Sequence, residues 1–471
     1  MCGIVGYVGK RECTDVLLNG LSKLEYRGYD SAGIAVFQDG KIAVAKAKGR
    51  LKNLEEKMAA GTRPSGHVGI GHTRWATHGE PSDVNSHPHS GGRVTIVHNG
   101  IIENYRELGD YLASKGVTFA SETDTEIVAK LLDYRYNGSP LQTISETIRD
   151  LKGSYALGIV FADHPEQVYA VRCESPLIVG IGENENFIAS DVPAILEYTR
   201  NYYLLEHEEI AVLEKDRVQV FDAFGTPVQK ELKTADWDVE AIGKGGYAHF
   251  MLKEIHEQPV AIHNTVSPRI QDGLPDLTEC GITLDALRSF QHIHVVACGT
   301  AMHAGTVGKY VIEKLARVPV IVDIASEFRY REPLVGEGDL VIVISQSGET
   351  ADSLAAMKLA KSKGAKTLAI VNAMGSSIAR EADMLIYTYA GPEIAVASTK
   401  AYMVQIAVMY LFAFELALAV GAIDEAECRR LVSLLQEIPE SIEGILEHKE
   451  RAQYIASSLI TADSLLLSLI H

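Results

Sequence analysis

Residues 340–360 read LVIVISQSGETADSLAAMKLA. The run Leu340–Ile344 is short, branched and apolar throughout, as in a strand buried on both faces. From Ala351 the apolar spacing becomes helical. Between the two stands SQSGET, a hydroxyl-rich loop with one glycine. The same rhythm recurs on either side. Strand-like His292–Ala297 precedes a helical pattern from Met302, and Val318–Ile324, Thr367–Val371 and Met384–Tyr387 read as further strands. Strands alternating with helices predict a doubly wound parallel sheet. In such sheets ligands bind beyond the carboxyl ends of the strands. Three loops stand there: Cys298-Gly299-Thr300, Ser345 to Thr350, and Val396 to Lys400.

SQSGET carries specific chemistry. Gly348 permits close backbone approach, and the first N–H groups of the following helix are unpaired at its positive end. Ser345, Ser347 and Thr350 add hydroxyls. The loop has no Walker lysine, so it suits a sugar phosphate better than a nucleoside triphosphate. Taken alone it reads equally as a helix start capped by Ser or Thr. The hydroxyl-bearing loops at Thr300 and at Ser398–Thr399 favour the phosphate.

Outward toward the N-terminus, residues 1–240 are rich in Gly, Tyr, Val and Ile. Short runs such as Ile34–Phe37 and Val94–Val97 alternate with turns, and Glu126–Tyr136 reads as a helix. Sheets with helices packed outside follow. Asp236 to Pro259 shifts toward charge and glycine and reads as a bridge between domains. The chain opens MCGIVGYVGK. Ile4-Val5 and Tyr7-Val8 read as a strand. With Met1 removed, Cys2 carries a thiol and a free α-amine, with reference pKa values of about 8.5 and about 7.7–8.0. One residue then supplies nucleophile and base, although a buried or frayed Cys occupies the same position equally well.

Gly71 to Gly79, GHTRWATHG, gathers two His, Arg74 and Trp75, and His87 and His89 follow. The spacing is not HExxH, and no metal is expected. Arg74 reads as a surface ion pair or as a two-pronged carboxylate clamp. Asn99-Gly100 reads as a turn or as an amide pair facing an oxyanion. Asp124 reads as a helix cap or as the partner of an ammonium.

The chain has 471 residues, too many for one core, so two to four domains are expected. It carries 44 basic and 62 acidic side chains, a formal charge of -18. That argues against nucleic acid or an anionic membrane as partner. The six cysteines are scattered, without CxxC or zinc spacing, and read as free thiols of a cytoplasmic protein. The N-terminus does not read as a secretory signal. Tyr402–Gly421 is long enough to span a bilayer, but Gln405 and Glu415 lie within it, so a buried core helix is expected.

CGIVGY, YRGYDSAG at 26–33, HTRWATHG, HNG at 98–100, SETDTE, CGT, SQSGET and VASTK, in this order, resemble the isomerising glutamine–fructose-6-phosphate aminotransferases over essentially the whole chain. The resemblance implies an α/β protein with a four-layer αββα N-terminal-nucleophile amidotransferase domain over 1–240. A sugar isomerase domain over 241–430 and the truncated start of a second over 431–471 would follow. It implies Cys2 as nucleophile, Asn99 and the Gly100 amide as oxyanion hole, and Arg74, Thr77, His78 and Asp124 around glutamine. Trp75 would gate ammonia. Ser345, Gln346, Ser347 and Thr350, with Thr300 and Ser398 nearby, would hold the phosphate of fructose 6-phosphate. Glucosamine 6-phosphate and glutamate are the products, no cofactor is implied, and a homodimer is expected.

Two departures stand out. Ala301 follows CGT where the family commonly has Ser, which removes one donor to the phosphate. The sequence also stops at Ser464–His471, about where the second sugar domain's first strand is expected. The part that the resemblance implies would carry the Schiff-base lysine is thus missing, which raises the alternative of a glutaminase with a sugar-phosphate-binding module. A phosphoribosyl acceptor calls for a strand ending in paired acids, which Leu340–Ser345 lacks. An ATP-using synthetase calls for an SGGxDS-like loop, and Ser90-Gly91-Gly92 is followed by Arg93-Val94.

Overall fold

The computed structural model describes residues 2–25, 28–76, 78–235 and 244–462. The chain divides into two units, Met1–Val239 and Glu240–His471.

Among the described residues the first unit holds two antiparallel sheets. The first runs, edge to edge, Lys233–Thr234, Asn201–Leu204, Ile178–Ile181, Asn186–Ala189, Gly3–Val8, Val68–Arg74, Ser31–Gln38, Lys41–Lys48. Gly3–Val8 is therefore interior, with Gly3 opposite Thr73 and Val5 opposite Ala189. Its period-2 alternation explains the layering. Ile4 and Val8 pack with Val97, Val160 and Ala170 of the second sheet. Val5 and Tyr7 point the other way, onto Leu17 and Leu21 of the helix Cys13–Leu24. Burial of each such aliphatic contributes about 1.5–3 kcal/mol. The second sheet runs Pro227–Val228, Val218–Phe221, Glu209–Leu213, Val168–Cys173, Gly153–Phe161, Val94–Ile102, His89–Ser90. Its outer face packs Ile96, Tyr155 and Leu157 against Val128, Leu132 and Ile144 of the helices Asp124–Arg135 and Pro140–Ile148. Helix, sheet, sheet, helix is the expected αββα stack.

The second unit carries a five-stranded parallel sheet in the order Val320–Ile324, His292–Ala297, Asp339–Ser345, Lys366–Val371, Met384–Tyr387. Expected strand and helix ends shift by a residue or two. Thr300–Leu315 begins ahead of Met302 because Gly299, at φ +59°, turns the chain directly into the helix. The order reverses between His292–Ala297 and Asp339–Ser345, which places the loops after these two strands at a topological switch point. Lys400–Ala419 is the one helix among the described residues long and apolar enough to cross a membrane. Most of it is buried in the unit's core beside Phe250–Val266 and Thr300–Leu315, as expected of a core helix.

Two expectations need correction. The bridge read over Asp236 to Pro259 is shorter, because Phe250–Val266 is a helix with Pro259 inside it. Residues 236–243 lie outside the described residues. Asn99-Gly100 is not a turn but the interior of Val94–Ile102, with Gly100 opposite Tyr155. Glu425–Gln436, Ile438–Glu447 and Glu450–Ser458 are helices, and the apolar run at 464–471 lies outside the described residues.

Candidate active site and anion cradle

Cys2 precedes the interior strand Gly3–Val8, so pairing with Val68–Arg74 brings it level with Arg74. Its Sγ accepts from the Trp75 backbone N–H at 3.1 Å and faces the Trp75 carbonyl at 3.4 Å. Cys2, Arg74, Trp75, Gly100, Thr123, Asp124 and Thr125 line one cleft, with His87 and His98 behind them.

Asn99 reaches Cys2 from the second sheet. Its Nδ2 donates to the Cys2 carbonyl at 3.0 Å and to Ser190 Oγ at 2.8 Å. Ser190 Oγ also accepts from the Ile4 N–H at 2.8 Å. Gly100 has φ +120°, and a Cβ there would lie 2.0 Å from the Ser154 carbonyl. Only glycine fits this approach of two strands.

Arg74 is 3% exposed. Its Nη2 donates to the carbonyls of His78 and Gly79, the latter at 3.0 Å. Its Nη1 is buried and has no hydrogen-bond partner among the described residues. An unmatched buried guanidinium donor is costly unless a ligand takes it. Burial pushes Arg74 down from its ordinary value, while the charges of Cys2 and Asp124 oppose that. Asp124 is the first residue of its helix but not the cap. The cap is Thr123, whose side chain accepts from the Glu126 N–H. Asp124 Oδ2 accepts from the Ile102 N–H at 3.0 Å. His78 packs its ring edge-on to Tyr105, with centroids 5.0 Å apart. Thr77 lies outside the described residues. Trp75 is 39% exposed and meets Tyr29 edge-on.

Behind the cleft lie His72, His87, His89 and His98, all buried. His72 and His87 stack at 4.0 Å. Burial is the largest cause that pushes all four down, His72 to about 3. They form a neutral wall, which leaves Arg74 as the cation of the cleft. The roles of His72 and Ser190 carried no sequence signal.

In the second unit, Ser345 ends its strand and the loop turns back on itself. Ser345 Oγ accepts from the Gly348 N–H at 3.0 Å and lies 3.0 Å from Thr350 Oγ1. Ser347 Oγ accepts from the Glu349 N–H at 3.2 Å. Gly348 has φ +62°, and a Cβ there would lie 1.9 Å from Ser376 Oγ. That hydroxyl is buried without a partner among the described residues. The Gln346 carbonyl accepts from the N–H groups of Asn372 and Ala373. Thr300 heads its helix from the adjacent strand's loop, and Ser353 Oγ reaches that loop at Cys298 Sγ, 3.9 Å away. Ala301, after it, is buried. Ser398 is held differently: its Oγ donates to Glu393 Oε2 at 2.8 Å.

Family profiles match both units. "Glutamine amidotransferase domain" matches residues 72–197 and "SIS domain" matches 286–414. The glutamine–fructose-6-phosphate aminotransferase [isomerizing] of Caldanaerobacter subterraneus subsp. tengcongensis is 55% identical over 97% of this chain and 76% of its own length. That of Clostridium acetobutylicum is 54% identical over 97% and 76%. Among solved structures, the "C-terminal domain of glucosamine-fructose-6-phosphate aminotransferase" from Francisella tularensis is 38% identical, covering 46% of this chain and 61% of its own, at a TM-score of 0.45.

Proposed function

The chain belongs to the isomerising glutamine–fructose-6-phosphate aminotransferase family, and from that premise we propose how its residues share the reaction. Glutamine and fructose 6-phosphate are the substrates, and glutamate and glucosamine 6-phosphate the products. The observation that carries the assignment of roles is the position of Cys2 Sγ, 3.1 Å from the Trp75 N–H in the cleft that Arg74 and Asp124 line.

With Met1 removed, the Cys2 α-amine takes the thiol proton and the sulfur attacks the side-chain amide carbon of glutamine. The Arg74 Nη1 donor takes the α-carboxylate, and Asp124 the α-ammonium. Thr77 and His78 complete this pocket. Negative charge develops on the amide oxygen, and Asn99 Nδ2 and the Gly100 N–H stabilise it. For this Asn99 exchanges its bond to the Cys2 carbonyl for one to the oxyanion. The C–N bond breaks, ammonia leaves with the proton the amine returns, and water cleaves the thioester to glutamate. Trp75 gates the exit of ammonia. Kept from protonation, ammonia remains the nucleophile that the sugar needs.

In the second unit the phosphate of fructose 6-phosphate sits on the hydroxyls of Ser345, Ser347 and Thr350 and the loop's backbone amides, with Gln346, Thr300 and Ser398 at its edge. The same reading takes the chain as a cytoplasmic homodimer, the first on its scattered cysteines and the second on the resemblance.

The test is a paired assay of the purified chain with both substrates, reading glutamate and glucosamine 6-phosphate separately, beside Cys2→Ala. Both products from the parent and neither glutamine-derived product from the variant support the assignment. Glutamate release that survives in Cys2→Ala overturns the role of Cys2, and glutamate without glucosamine 6-phosphate overturns the synthase reading for this chain.

A further inference from the structure

The strands Val168–Cys173 and Glu209–Leu213 pair antiparallel with Arg172 opposite Glu209. This register brings the end of one strand beside the approach to the other. The Glu208 N–H donates to the Arg172 carbonyl at 2.6 Å, which pins the loop. Cys173 and His207 are 34 residues apart in sequence, yet Cys173 Sγ lies 3.8 Å from His207 Nδ1. Glu174 Oε1 lies 3.3 Å from the same nitrogen, and Glu208 Oε1 lies 3.7 Å from His207 Nε2. One donor atom each from Cys173, His207 and Glu208 falls within 4.8 Å of the others.

The sulfur–nitrogen separation is close to that of a coordination shell, while the Glu208 oxygen faces Nε2, so a cation held on one ring nitrogen must draw Cys173 or Glu208 inward. A tetrahedral zinc, with bonds of about 2.3 Å to sulfur and about 2.05 Å to nitrogen, sets the two about 3.6 Å apart, and nitrogen and oxygen about 3.4 Å apart. The set is one sulfur, one imidazole and carboxylate oxygen. Sulfur and imidazole suit zinc and its thiophilic neighbours and not magnesium or calcium. The carboxylates of Glu174 and Glu208 favour a cation over a second anion. Cys173 is buried, while the His207 side chain is 57% exposed, so the site opens to solvent on the histidine side.

We propose that Cys173, His207 and Glu208, with Glu174 beside them, form a binding site for a thiophilic divalent cation, zinc by preference. The site is separate from the chemistry assigned to Cys2 and does not depend on it. It has a defined relation to that chemistry nonetheless. Gly100 is opposite Tyr155, and Tyr155 is opposite Cys173. The three stand in one row across adjacent strands, so Cys173 is two strand spacings, about 10 Å, from the proposed oxyanion glycine. A bound cation ties the loop that holds His207 and Glu208 to the end of that row.

The test uses the whole chain, stripped of metal by dialysis against a chelator and titrated with Co²⁺ alone. The expected result is a thiolate-to-cobalt charge-transfer band that saturates at one equivalent, is displaced by Zn²⁺ and persists in excess Mg²⁺. His207→Ala, at a solvent-facing side chain, should keep the parent circular dichroism and weaken Co²⁺ binding by about tenfold or more. Cys173→Ser should remove the band. Absence of the band in the parent overturns the proposal. So does a band of full intensity in Cys173→Ser, which would place the metal on another of the cysteines, or an unchanged Co²⁺ affinity in His207→Ala.

Discussion

His72 locks Asn99. The His72 Nε2 lies 3.0 Å from Asn99 Oδ1 and 2.9 Å from the His98 carbonyl. Both partners are oxygens, so Nε2 carries the proton and donates to both. The amide of Asn99 is thereby fixed with Nδ2 toward Cys2 and Ser190. Burial holds His72 at about 3, so the lock stays neutral and unchanged through the working pH range.

Removing the lock should therefore cost catalysis more than binding. In His72→Ala the Asn99 Oδ1 loses its partner and the amide is held through Nδ2 alone, and glutaminase kcat should fall about tenfold or more, approaching the ~10²-fold loss of an oxyanion donor. KM for glutamine should change little. Steady-state kinetics read this split, and an equal rise in KM would count against the positioning role.

Arg74 makes a different prediction. Arg74→Lys keeps the charge but loses the fork, and a lysine cannot serve the His78 and Gly79 carbonyls and a carboxylate at once. KM for glutamine should rise about 10- to 100-fold, equivalent to ~1.5–3 kcal/mol for a charge-assisted hydrogen bond. A variant with parent KM would remove Arg74 from the glutamine pocket.

Gly348→Ala tests the anion cradle. The added methyl meets both a left-handed backbone and Ser376 Oγ at 1.9 Å, so the loop must open. Fructose 6-phosphate binding, followed by calorimetry, should weaken about tenfold or more, at ~1–3 kcal/mol of strain. Parent affinity would mean that the phosphate sits elsewhere.

Glu415 predicts a pH dependence of stability. It lies inside Lys400–Ala419 with Oε2 buried and without a partner among the described residues. Burial raises its carboxyl from 4.5 to about 7, Asp276 adds to the rise, and a backbone hydrogen bond at Leu277 opposes it. Below pH 4.5 the group is neutral in both folded and unfolded chains, and its contribution is fully present. From there to about pH 7 only the unfolded chain ionises, so stability falls with rising pH and then levels. The loss should be of the order of 2 kcal/mol. Urea unfolding at pH 5 and pH 8 should show it in the parent and not in Glu415→Gln.

The parallel sheet was legible because its central strands, above all Asp339–Ser345, are runs of branched aliphatics leading into a helix pattern, and two-face burial leaves that signature. The first unit was legible as sheets with outer helices, while its four layers came from family likeness. Asn99-Gly100 left a turn open beside the oxyanion reading because Asn-Gly is a common turn pair. Its glycine instead answers the Ser154 carbonyl pressing on it across a strand pair. Asp124 left a cap open beside the ammonium reading because Thr123 and Asp124 are both good caps and only geometry chooses. Ser190 and His72 were silent, since each acts on Asn99 through pairings far apart in sequence. The same holds for Cys173 and His207, whose meeting depends on the register of Arg172 with Glu209.

The loop Ser345 to Thr350 contains no lysine, arginine or histidine, and its one carboxylate, Glu349, accepts from the Ser377 N–H. Its hydroxyls and amides keep the same protonation across the physiological range. The proton that matters is then the ligand's own, lost from a sugar phosphate near pH ~6. On the proposed role, the cradle is a reader of ionic form: it should hold the dianion in preference to the monoanion, and acidification should weaken binding by changing the guest while leaving the host as it was.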